Sequence, residues 1–252
     1  MHTNHLNWII GPAASAVKLL AEETATAGLL KRSLVVMAGL RPLLNNVKAQ
    51  LRAAGTSTAE VDALLRQQDE NECRAKEILL NDYDPIVRHG VIGMWVCVEV
   101  AVEDTATLVL QHDPSALSAF VAGGPRFRHP LPSTLNEEGA GRIYKKLERH
   151  SMLGRGVGEA YCHLLNLLDV PIAVDSPTLD VLSELNYVRN CWLHRSGRVD
   201  AAALAQAPSL GVAAGEQLKV PSERYLHYFV AASSFVVALL DATSRSRYVV
   251  TV

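Results

Sequence analysis

Residues 184–200 read ELNYVRNCWLHRSGRVD and place Arg189, Asn190 and His194 within six positions. Each of these types has a definite chemistry. Histidine gives and takes a proton near neutral pH. Arginine stays charged and meets a phosphate, or the phosphorane formed when a phosphate is attacked, through two parallel N–H donors. Asparagine orients an imidazole or bonds a substrate oxygen. Two such sets would suffice for RNA cleavage by attack of the 2′-hydroxyl on the adjacent phosphate. One histidine would be the base and one the acid, and no metal would be needed.

Helical geometry restricts how these groups meet. Residues five apart on a helix are separated by about 140° in projection, so Arg189 and His194 point to different sides. Asn190 and His194, four apart, share a face. Arg189 and His194 converge if the helix ends near His194 or if a second copy of the chain supplies the facing wall, as a two-fold interface would. Gly197 suits the first route, because glycine adopts the left-handed conformation that closes helices. A plainer reading stands beside the catalytic one. Arginine and histidine in a last helical turn complement the helix dipole and satisfy its end carbonyls.

Other residues could serve the same chemistry. Glu99 and Glu103 lie four apart in a very apolar stretch, followed by Asp104. Buried carboxylates need partners, so Glu99 is expected to pair with Arg189 and hold its guanidinium. The alternative is a narrow solvent-facing acidic stripe. Arg195 and Arg198 follow the histidine and would grip flanking phosphates, or else be solvated loop charges. PRFRHP (125–130) could stack on and grip a single strand, or be a surface connector. His163, in EAYCHLLNLL, reads as a core or interface residue; Asp82, Tyr83 and Asp84 read as helix-boundary residues. No strand precedes GRGVGEA, as a phosphate-binding loop would require, and there is no serine nucleophile elbow.

The elements that must position these groups are helices. The chain has 252 residues, 49% hydrophobic but only 6% aromatic, which favours packed helices over a β-sandwich. Residues 6–54 read as helical, punctuated by Gly11-Pro12 and Arg41-Pro42. TSTAEVDALL starts a helix with Ser57 as N-cap and Glu60 completing a capping box, ending near Asn81. Asp84-Pro85 opens a helix to about His112, apolar nearly all round. Its apolar run, Ile86 to Leu110, could span a membrane, but the charges at Arg88, Glu99, Glu103 and Asp104 favour a buried central helix. Further helices are expected from Thr134 to about Met152 with Ser133 as cap, over EAYCHLLNLLDV, and from near Thr178 to near Ser196. After a long surface connection (199–221), a last helix capped by Ser222 runs to about Ser246, and RYVVTV ends as strand or tail. The result is an all-α antiparallel bundle over 83–252 with an N-terminal helical segment over 1–82, or one continuous domain.

The formal net charge of −2 excludes a whole-protein basic field for nucleic acid, so any such contact must be local. The four cysteines lack metal-site spacing and read as reduced, buried thiols of a cytoplasmic protein without metal or cofactor. No signal peptide and no membrane partner are expected.

The motif resembles the signature of the HEPN superfamily: arginine, a polar residue that is often asparagine, three or so variable residues, then histidine. Arg189, Asn190 and His194 fill these places, and the resemblance extends over roughly 84–247. It implies a helical bundle that dimerises and sets two motifs into one cleft. Many members are metal-independent endoribonucleases acting as toxins or in phage defence; others bind partners or nucleotides without cleaving. Some toxin members carry, two residues after the histidine, a tyrosine that an antitoxin modifies; here that position is Ser196. The sequence therefore points to an RNA-cleaving homodimer, with an antitoxin or regulatory protein as a further expected partner. His194 would be the acid/base, Arg189 the transition-state stabiliser, Asn190 the orienting group, Glu99 the support, and Arg195 and Arg198 the RNA contacts. The alternative is a non-catalytic dimerisation, partner-binding or nucleotide-sensing module.

Overall fold

The computed structural model describes residues 8–55, 57–117, 134–204 and 207–249. Among them the chain is all-α, with one isolated antiparallel bridge, Arg198 to Gln217. The main helices are α1 (Gly11–Ala38), α2 (Arg41–Ala53), α3 (Thr58–Leu80), α4 (Asp84–His112), α5 (Glu137–Ser151), α6 (Val157–Leu167), α7 (Ser176–Arg195) and α8 (Ser222–Ser244).

Helix α4 is the axis of the fold. Pro85 begins it, where a missing N–H costs nothing. Its apolar residues bury Val91, Met94, Trp95, Val98, Val102 and Val109 almost completely. Trp95 stacks on Tyr161 of α6 at 5.9 Å, and Tyr161 meets Phe235 of α8 at 6.5 Å. Helix α1 runs antiparallel to both α4 and α8. Near its start Trp8 stacks on His112 at 4.1 Å and meets Tyr248 at 5.8 Å, while Lys31 lies over the rings of Tyr83 and Tyr225. Ile9, Ala13, Ala16 and Leu20 join the same apolar cluster as the bundle. Helices α2 and α3 pack on one another, and α3 also on α1.

Glycine sets two close approaches. A Cβ on Gly158 of α6 would lie 2.9 Å from the Leu179 carbonyl oxygen and 3.1 Å from its Cα, so α6 and α7 meet backbone to backbone. A Cβ on Gly90 would collide with the Tyr225 ring.

Several local expectations are corrected. Ser57 precedes α3, but its side chain makes no capping bond, so the Glu60 capping box does not form. Helix α5 begins at Glu137 rather than Thr134, because Asn136 accepts from the Gly139 N–H at 2.9 Å; Ser133 lies outside the described residues. Ser222 is the first residue of α8 and not its cap, and its hydroxyl turns to Asp82 at 3.4 Å. The connection after α7 is not a surface loop: Val199, Ala207, Leu218 and Val220 are buried in the core. Cys97 and Cys191 are buried, Cys162 is half-buried, and Cys73 is exposed because it faces outward on α3. The C-terminal segment forms no strand through Val249, and Tyr248 anchors it by donating to the Leu168 carbonyl at 3.0 Å.

Helices α4 and α8 are both long and apolar enough to cross a membrane by length and composition, and about half of the apolar stretch of α4 is buried within the protein.

Candidate active site

Helix α7 carries the motif. It starts two residues before Thr178, where the Asp175 carboxylate accepts from the Thr178 N–H at 2.9 Å. The hydrogen bonding at Thr178 holds that carboxyl below the usual aspartate value. The helix ends after Arg195, with Ser196 and Gly197 both left-handed (φ 53° and 79°). The Ser196 N–H closes the turn on the Cys191 carbonyl, the 6→1 bond of a helix-ending motif, and the Gly197 N–H reaches the same oxygen at 3.0 Å. His194 therefore occupies the last turn.

Helices α4 and α7 run antiparallel, as two contacts show. Arg88 lies over the Trp192 ring at 5.9 Å, and Arg189 reaches Glu99 further along α4. Arg189 Nη2 donates to Glu99 Oε2 at 3.3 Å, and Nη1 donates to Asn190 Oδ1 at 2.8 Å. The expected Glu99–Arg189 pair is thus present, between side chains 29% and 21% exposed. The Arg189 Nε is buried without a hydrogen-bond partner among the described residues.

Asn190 links the arginine to the histidine's face. Its amide donates to Asn186 Oδ1 at 3.3 Å, one turn back, and His194 follows one turn on. His194 is exposed, and its side chain makes no hydrogen bond among the described residues. Arg189 leans toward α4 while His194 faces outward, so one copy does not bring the two together. Neither route to convergence is complete within a single chain, although the helix does end beside the histidine.

A second polar cluster lies near Glu99, one turn along α4. On α5, Lys145 bonds Glu103 at 3.1 Å and lies 3.6 Å from Glu148, and the Tyr144 hydroxyl donates to Glu148 at 3.1 Å. Partial burial works against the Lys145 ammonium, but the bond to Glu103 and the charges of Glu148 and Glu99 outweigh it, raising its pKa. Burial, then the Glu99 charge, pushes the Tyr161 phenol well up, so it stays protonated beneath the pair. Glu103 is therefore paired rather than part of a free acidic stripe, and only Asp104 is exposed.

The residues expected to grip RNA are divided. Arg195 is paired with Asp200. Arg198 is exposed and donates to the Gly215 carbonyl at 3.2 Å. PRFRHP lies outside the described residues. His163 is half-buried, and burial lowers its pKa, helped by the nearby Arg155 and His150.

The sequence reading missed a charged centre on the other side of α7. Glu184, 3% exposed, receives both nitrogens of an Arg224 fork, the Tyr228 hydroxyl at 2.6 Å and the Ser209 hydroxyl. Its four donors satisfy a carboxylate that would otherwise be costly to bury. A signal existed: Glu184 falls on the buried side of a helix that Leu185, Val188 and Trp192 define.

Comparison of the chain with protein-family models, with curated proteins and with solved structures found no match.

Proposed function

We propose that this chain is a HEPN-like, metal-independent endoribonuclease that works as a homodimer. One observation carries the reading: Arg189 is fixed by Glu99 and Asn190, and Asn190 shares its helix face with an exposed His194 in the last turn of α7. An arginine already ordered loses little entropy when a phosphate arrives, and an exposed imidazole is accessible to substrate.

The surface beside this set is apolar. Val96 lies one turn from Glu99 and Leu193 one turn from Arg189, in the same direction along antiparallel helices. With Val100 these side chains are 41–48% exposed. A second copy docked here would cover them and bring a second Arg189–His194 set across the axis.

In that cleft one His194 takes the proton from the 2′-hydroxyl as its oxygen attacks phosphorus. The other gives a proton to the departing 5′-oxygen as the P–O bond breaks. The two Arg189 guanidinium groups stabilise the phosphorane charge. The products are a 2′,3′-cyclic phosphate and a 5′-hydroxyl. A toxin or phage-defence role, controlled by a protein partner, goes with this reading and suits the near-zero net charge. The product ends test it: cyclic phosphate from RNA and no cleavage of a strand with 2′-deoxyribose at the cut site support it, and cleavage of the 2′-deoxy strand contradicts it.

A second reading, a non-catalytic dimerisation module, is favoured by the internal pairing of Arg189, which is already engaged by Glu99 and Asn190. It predicts the same interface but no cleavage.

A further inference from the structure

A groove of about 570 Å³ lies where the end of α3, the start of α4 and the segment leading into α8 meet. That volume is within the range of roughly 300–1,000 Å³ typical of small-ligand sites. Its charged lining is Arg74, Arg88 and Lys219 with Glu77 and Asp84. Asp84 is paired with Arg88, which leaves two cations, Arg74 and Lys219, against the single carboxylate of Glu77. Neither Arg74 nor Lys219 has a carboxylate partner among the described residues.

Arg88 is held in place at the edge of the groove. Asp84 holds one end of its guanidinium, the Trp192 ring supports its face, and its Nε is buried without a partner among the described residues. Ile78 and Pro85 add apolar surface that a base could cover. Gln217 closes the wall, and its amide donates to the Ser196 carbonyl at 3.0 Å. The groove is therefore tied to the residue two places after His194.

We propose that this groove binds the phosphate of a nucleotide, presented either by an RNA strand leaving the cleavage site or by a free nucleotide. The strand version rests on the ribonuclease reading; phosphate binding itself does not. Arg74 and Lys219 supply the charge, Arg88 a fixed donor, and the Ile78–Pro85 surface a contact for the base.

The test uses the full chain carrying His194→Ala, so that no strand is cut, with and without Arg74→Ala and Lys219→Ala. Both positions are exposed, and unchanged thermal unfolding confirms that the fold is kept. Binding of a short labelled single-stranded RNA is followed by anisotropy over a range of salt, and AMP binding by calorimetry. Removing the two cations should weaken RNA binding and reduce the slope of log K against log[salt] by roughly 1.4, two contacts at about 0.7 each. RNA binding that responds in this way assigns the strand. AMP binding lost in the double variant, without RNA binding, assigns the free nucleotide. Unchanged affinity and slope in the double variant overturn the proposal, as does absence of binding to both probes. Cleavage by the wild-type chain is scored separately, so failure of this groove and failure of the nuclease reading are distinguishable.

Discussion

Glu99 and Arg189, ninety positions apart in the chain, meet across the α4–α7 interface at 3.3 Å. This pair joins the axis of the fold to the motif helix and sets where the guanidinium stands. Because both side chains are partly exposed, their mutual stabilisation is small, and a double-mutant cycle on unfolding should give about 1 kcal/mol or less. Its effect on cleavage should be larger. Glu99→Gln should lower the rate of RNA cleavage about tenfold, equivalent to roughly 1.4 kcal/mol of transition-state stabilisation. Equal rates in Glu99→Gln and wild type would remove Glu99 from the account.

Glu184 should matter for folding. Glu184→Ala leaves Arg224 and Tyr228 without their shared acceptor and should cost about 3–5 kcal/mol, measured by denaturant unfolding. A loss below about 1 kcal/mol would show that this buried centre is not a support of α7 and α8.

The exposed apolar face makes an oligomer prediction. Leu193→Lys should convert the proposed dimer to monomer in sedimentation and abolish cleavage, because a charge cannot be buried unpaired at a two-fold interface. Its helicity should be unchanged, since Leu193 is already 48% exposed. A dimer that persists in this variant would move the interface elsewhere.

Acid should weaken the fold partly through His163. Burial, aided by Arg155 and His150, lowers its pKa in the folded chain below the ordinary value of about 6.5. The unfolded chain then binds more protons, so the stability associated with neutral His163 is present above about pH 6.5 and is lost as pH falls through the folded value. His163→Gln should flatten the fall in unfolding free energy below about pH 6.5. An unchanged pH profile would contradict this assignment.

Much of this fold was legible because its signals are local. Pro85 and the apolar run after it gave α4 its observed bounds, Asp84 to His112, and Gly197 marked the end of α7. The Glu99–Arg189 pair could be anticipated because a carboxylate in so apolar a helix needs a cation. The Glu184 centre was harder, since its partner Arg224 lies forty positions downstream in a segment with no visible link to ELNY. The connection after α7 misled for a related reason. Val199, Leu218 and Val220 bury themselves without helical or strand periodicity, so nothing local separates them from a surface loop. The start of α5 moved because Asn136, rather than a residue near Thr134, supplies the capping oxygen.

The site was legible as residue types but not as geometry. A motif names Arg189, Asn190 and His194; it does not show that Asn190 ties Arg189 to Asn186 while His194 stands apart. That separation is why the account requires two copies.

The most direct measurement is incubation of wild-type and His194→Ala protein with a labelled structured RNA, and with total cellular RNA, in EDTA. A His194-dependent ribonuclease gives cleavage by the wild type that His194→Ala lacks, with both proteins equally folded and dimeric. Cleavage by both proteins would place the chemistry away from His194, and no cleavage of either RNA by the wild type would contradict the ribonuclease assignment.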